Sequence, residues 1–159
     1  MSKEPKLSFK QQQLIVRENA IIDATNSLLA QKGFDLMTMD EVAAEVGIAK
    51  ASLYKHFPSK EALAAAAMIR LLENTLAFVR SLDPQQTAIA QLKGVLQWAL
   101  EIRMRGGLPT LPAENTSLRE ALLNNTRYIN RLLDLNELMG ELIEKARADG
   151  AIQPALPVD

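Results

Sequence analysis

The chain contains no cysteine, which excludes disulfides and thiolate chemistry and fits a reducing cytoplasm. It has a single histidine, His56, and with no cysteine beside it a histidine- or cysteine-based metal site has too few ligands to form. Aromatic residues make up only 4%, against 48% hydrophobic residues in total. That balance favours helices packed on helices over sheets built from aromatic and β-branched strands. No segment reaches the ~18 uninterrupted apolar residues of a membrane span, so no membrane partner is expected. Met1 to Lys10 is polar and lacks the apolar middle of a signal peptide. Charge of either sign is not in excess: the net charge is −1, with +1 over residues 1–60 and −2 over residues 61–159. A basic surface must therefore come from local placement. Glycine-rich phosphate loops and nucleophile–histidine pairs are also missing, which argues against an enzyme; no catalytic residue, metal or cofactor is assigned.

What is present is helical periodicity. A tail through Lys10, with Lys3 and Lys6, precedes a helix that the spacing of Leu14, Ile21, Ala24 and Leu28 opens at about Gln11 and Gly33 stops. Thr38-Met39-Asp40-Glu41 reads as a capping box, and Asp40 and Glu41 suit the positive end of the helix it opens. Gly47 ends that helix, and a second short one runs to about His56, closed by Phe57-Pro58. Ser59 caps a long helix to about Leu82. Asp83-Pro84 is read as the start of another, running to Arg105, before Gly106-Gly107, Pro109 and Pro112 break the chain. A capping box at Ser117 then opens a run to Ala148, with a junction at Asn124-Asn125 and a stop at Gly150. The apolar seam from Leu118 to Ile143 is core or partner surface, and close packing is expected around Gly140.

Thr38 to Lys60 is the informative stretch. Val42, Ala43 and Val46 give its first helix an apolar face, and Ile48, Leu53 and Phe57 give the second one. The other face of the second helix carries Lys50, Ser52, Tyr54, Lys55 and His56, groups suited to phosphates and base edges. Ala49, Ala51 and Ser52 are small enough for close approach to DNA. A single major groove admits one such helix, read from its N-terminal residues. His56 fits either a phosphate contact or plain packing, and Thr38 is a cap whether or not it also meets a phosphate.

These residues resemble the TetR family of regulators, over roughly Arg17 to Leu63. The likeness includes Ile21-Ile22, Gly33-Phe34, Val42-Ala43, Gly47-Ile48 and, most specifically, Leu53-Tyr54-Lys55-His56-Phe57-Pro58-Ser59-Lys60-Glu61. The resemblance implies an all-α chain, with a three-helix helix-turn-helix DNA-binding domain over residues 1–58 and a helical ligand and dimerisation domain over 59–159. It implies that Thr38 donates to a phosphate, that Lys50, Ala51, Ser52 and Lys55 face the groove, and that Tyr54, His56 and Lys60 hold the backbone. Ala49 departs from the family, which often has a capping serine there.

The implied partners are double-stranded DNA with a palindromic operator, a small-molecule effector and a second copy of the chain. Phe78, Trp98 and Met104 are candidate ligand-lining residues, although apolar residues on such helices are more often core. Arg103 and Arg105 read best as cations at a helix C-terminus. The two terminal helices that usually pair subunits are expected to be absent after Pro154, which makes the seam from Leu118 to Ile143 the expected pairing surface. An architectural DNA binder or interaction protein without an effector is the alternative to a ligand-responsive repressor.

Overall fold

The computed structural model describes residues 7–106 and 116–152. Among these it holds seven helices and no strand: α1 (Phe9–Leu36), α2 (Met39–Val46), α3 (Lys50–His56), α4 (Lys60–Ser81), α5 (Ala88–Met104), α6 (Thr116–Leu123) and α7 (Thr126–Ala148). The expected all-α architecture is the one observed. Lys3, Lys6, the breaks at Gly107, Pro109 and Pro112, and the segment at Gln153-Pro154 lie outside the described residues.

Helix α1 starts earlier than periodicity indicates. Ser8 and Gln11 form a reciprocal capping box: the Ser8 hydroxyl accepts from the Gln11 amide at 3.3 Å, and Gln11 Oε1 accepts from the Ser8 amide at 2.8 Å. Phe9 and Lys10 are therefore helical rather than part of a tail. Near its end, Gly33 takes φ 77°, ψ 173°, a combination open to glycine alone, and interrupts the helix. The kink turns Phe34 and Met37 into the core, where they are buried.

The caps at Thr38 and Ser59 form as the sequence predicts. The Thr38 hydroxyl accepts from the Glu41 amide at 3.2 Å, and the Ser59 hydroxyl accepts from the Ala62 amide at 3.0 Å. Asp83-Pro84 does not open a helix. The Asp83 carboxylate accepts from the Gln85 amide at 2.9 Å and its carbonyl from the Gln86 amide at 3.1 Å, so the pair closes a local turn. The cap of α5 is Thr87. Ser117 lies inside α6, which begins at Thr116, and its hydroxyl donates to Glu61 Oε1 at 3.1 Å instead of capping its own helix. Asn125 caps α7 through the Tyr128 amide at 3.1 Å, so the Asn124-Asn125 junction is real.

One core unites the first three helices with parts of two later ones. Ile21, Leu29, Phe34, Met37, Val42 and Leu53 are buried together with Leu63, Ala64, Ala67 and Met68 of α4 and with Leu118 and Leu122 of α6. The small residues at 64 and 67 let α1 and α6 approach α4 closely. Thr25, the buried polar residue here, donates its hydroxyl to the Ile21 carbonyl at 2.7 Å and leaves no orphan group. By length and composition α4 could cross a membrane. It is instead the central helix, packed against α1, α5, α6 and α7.

The second half is thinner. Leu72, Leu76 and Val79 of α4 are buried, as are Leu142 and Ala146 of α7, but α5 buries only Ala88 among its residues. Leu96, Leu100 and Met104 form an uncovered stripe along α5. The seam from Leu118 to Ile143 is split: Leu118, Leu122 and Leu142 face inward, while Leu123, Leu133 and Ile143 are exposed. Gly140 has no neighbour within 4 Å of where a Cβ would sit, so close packing does not explain it.

Candidate nucleic-acid interface

Gly47, at φ 73°, ψ 34°, ends α2 in the left-handed conformation and sends α3 across it. Leu53 anchors α3 completely buried, against Val42 and Ala43, with Ile48 and Phe57 half-buried at its two ends. The period of the helix then decides which side chains face out. Lys50, Ala51, Tyr54 and Lys55 are exposed and Ser52 is half-buried. Ala49 caps α3 with no side-chain hydrogen bond, so its first turn relies on the Ala49 carbonyl, which accepts from Ser52 and Leu53 at 2.8 and 3.2 Å.

His56 leaves the outward set. It lies three residues after Leu53, on the same side of the helix. Its side chain is about 10% exposed and its Nδ1 sits 3.4 Å from Glu18 Oε1 on α1. Of the two readings open to it in the sequence, the geometry is that of packing between helices.

Behind α3, two helix N-termini open on one depression of about 470 Å³, lined among others by Thr38, Asp40, Lys50, Tyr54, Ser59 and Lys60. Amides at such termini favour anions. The sequence-predicted Thr38, Lys50, Tyr54 and Lys60 are thus brought together. Lys60 is fixed by its own surroundings: Nζ donates to the Asp35 carbonyl at 3.1 Å and lies 4.5 Å from the centre of the Phe34 ring.

Acidic partners are the part of this surface that sequence reasoning missed. Asp40 was legible as a helix-dipole residue, but it also holds Lys50 Nζ at 2.7 Å across the Gly47 turn. That hydrogen bond, more than the charge itself, raises the Lys50 pKa above its ordinary value. Glu41 bonds Lys32 as well as closing the cap at Thr38. The Lys32 bond first, and the Thr38 hydroxyl second, hold the Glu41 carboxyl below the usual carboxylate range. Only the ten-residue spacing of Asp40 and Lys50 around a glycine hinted at their pairing.

The candidate ligand residues are only partly assembled. Phe78 and Trp98 stack between α4 and α5, ring centres 4.9 Å apart and 11° from parallel. Met104 does not join them: it is 87% exposed in the last turn of α5. The sequence placed it on an apolar face, but that face of α5 has nothing packed on it among the described residues.

Residues 21–67 match the family of bacterial regulatory proteins described as the tetR family. Over these residues the chain is similar to the TetR family. A helix-turn-helix-type transcriptional regulator of Mycobacterium tuberculosis is 37% identical over 65 residues, which are 41% of this chain and 27% of that protein. The regulator RutR of Escherichia coli K12 is 27% identical over 121 residues, 68% of this chain and 57% of RutR. The chain thus spans between about a quarter and somewhat over half the length of these relatives. Among solved structures, the fatty acid degradation regulator FadR from Bacillus halodurans superposes with a TM-score of 0.63 at 19% identity, covering 99% of this chain and 76% of that one. FadR from Bacillus subtilis in complex with stearoyl-CoA superposes at 0.56 and 19% identity, covering 88% and 76%. At this identity the two share the fold. The TetR-type fold places the match on α1, α2, α3 and the first turns of α4, the elements that share the core around Leu53 and Leu63.

Proposed function

We propose that this chain is a sequence-specific transcriptional regulator that reads duplex DNA through α3, most simply a ligand-responsive repressor in the cytoplasm. The observation that carries the reading is the division of α3. Leu53 locks one side into the core while Lys50, Ala51, Tyr54 and Lys55 stand exposed on the other. A helix presented this way fits the major groove, with its N-terminal residues nearest the base edges. Thr38 and Lys60, at the N-termini of α2 and α4, take flanking phosphates, which set register without reading sequence. Selection of bound duplexes from a random pool tests this: enrichment of a defined, symmetric site supports it, and recovery of unrelated sequences favours an architectural binder.

An effector site among α4 to α7 is the second element of the proposal, with Phe78 and Trp98 at its apolar wall. The stearoyl-CoA complex of the Bacillus subtilis regulator favours a molecule with a long acyl chain. By linkage, an effector that weakens DNA binding must itself be bound more weakly, by the same factor, when DNA is present. A ligand screen read by DNA affinity tests it, and failure of every apolar acyl compound to shift that affinity counts against it. Pairing is the third element. Two copies placing their α3 helices about 34–36 Å apart would meet successive major grooves. The exposed stripe of Leu96, Leu100 and Met104, with Leu133 and Ile143 on α7, supplies apolar surface for such pairing.

A further inference from the structure

A carboxylate stands inside the surface assigned to phosphates. Asp40 lines the same depression as Thr38, Lys50, Tyr54 and Lys60, and its Oδ1 lies 2.7 Å from Lys50 Nζ. Both side chains are more than half exposed, 67% for Asp40 and 55% for Lys50, so DNA can reach either of them. We propose that Asp40 is a specificity-determining residue: it occupies Lys50 during encounters with arbitrary DNA and yields it only to a site that offers a better acceptor.

This role of Asp40 rests on the reading of DNA by α3 and follows from what each kind of DNA offers. Every duplex presents phosphates, and a lysine free to neutralise one adds sequence-independent affinity. Lys50 opens α3 at the end that enters a groove, and there it already has a carboxylate at hydrogen-bond distance. A phosphate must displace that carboxylate and also approach its negative charge. A guanine edge, with O6 and N7 side by side and no net charge, draws the ammonium without that repulsion. Asp40 therefore weakens contact with random sequence more than contact with the cognate site. The rise in Lys50 pKa agrees with the pairing and keeps the lysine charged throughout. The scale is modest, because an exposed pair is screened by solvent and salt, and a change of no more than about fivefold is expected.

The test uses the full chain and two duplexes, the enriched site and a scrambled one, across a range of salt. Asp40→Asn should bind the scrambled duplex about two- to fivefold more tightly, with a log K versus log salt slope steeper by about one unit. The enriched site should change less, so the ratio between the two falls. In a Lys50→Ala background the steepening of the slope by Asp40→Asn should disappear, leaving only the relief of repulsion between the carboxylate and the phosphates. Lys50→Ala alone, which leaves α2 intact, should weaken the enriched site more than the scrambled one. Unchanged slope and ratio in Asp40→Asn would overturn the proposal. So would a loss confined to one base pair of the site, which would make Asp40 a direct reader of a cytosine amino group. A wild-type chain with no preference between the duplexes would overturn the DNA-reading role and this inference with it.

Discussion

Lys60 shows how much a single side chain can be asked to do. Its ammonium meets the Asp35 carbonyl and the Phe34 ring, and so ties α4 to the connector before α2. If it also meets a phosphate, Lys60→Ala should weaken binding about equally on all duplexes and flatten the log K versus log salt slope by about one unit. An unchanged slope with lowered stability would leave the tie as its whole role. Glu41 carries a pH dependence. Its folded-state carboxyl titrates below its unfolded value, so its contribution to stability is present above the ordinary carboxylate range and is lost as pH falls through the depressed value. Acid titration of the melting temperature should therefore fall less steeply in Glu41→Gln, which keeps the cap acceptor but cannot titrate. At this scale the sequence was legible where a bond is local. Thr38 and Ser59 cap as their spacing implies, whereas the Asp40–Lys50 pair needed the fold to bring ten residues together. The orientation of His56 could have been read from Leu53, three residues before it.

Among the elements, α3 and α7 each carry a residue that costs helix stability without a visible structural return. Ala49 offers α3 no side-chain cap. Ala49→Ser should supply one and stabilise the chain by about 0.5–2 kcal/mol, measured by denaturant unfolding. Gly140 lies within α7, with open space around its missing Cβ. Gly140→Ala should stabilise by about 1 kcal/mol, and a loss of stability would mean that a partner copy packs there. Helix existence was legible throughout because apolar spacing and stops such as Gly47 and Gly150 are strong local signals. Helix starts were less so. Asp83 has the chemistry of both a cap and a turn, and the turn won because its carboxylate and carbonyl reach Gln85 and Gln86. Ser8 was passed over because its partner, Gln11, precedes the first apolar residues of the pattern.

On the scale of the whole molecule, the open question of pairing has a direct measurement. Leu96, Leu100 and Met104 form an uncovered apolar stripe on α5, and Leu133 on α7 is exposed as well; apolar surface of this kind usually finds a partner. Sedimentation of the 159-residue chain should show self-association, and Leu96→Glu with Leu100→Glu should reduce it while leaving the helical spectrum intact. A monomer at high concentration would count against pairing through this surface. The sequence showed the connector at Phe57-Pro58 but could not show that packing runs across it, because Leu118 and Leu122 reach the core from sixty residues away.

That shared core bears on how such a protein can be recombined. Leu63, Ala64, Ala67 and Met68 close the far side of the unit formed by α1, α2 and α3. A cassette cut at residue 58 would carry α3 but take Leu63, Ala64, Ala67 and Met68 away from the core that holds Ile21, Leu29 and Leu53, and so open one side of it to water. A transplant that also took the first turns of α4, to about Arg70, would keep most of that contact and would have to find in its new host substitutes for Leu71, Leu118, Leu122 and Tyr128. The natural seam for exchanging one DNA-reading head for another therefore runs through the middle of α4, where Arg70 already reaches back to Asn19 of α1 at 2.6 Å.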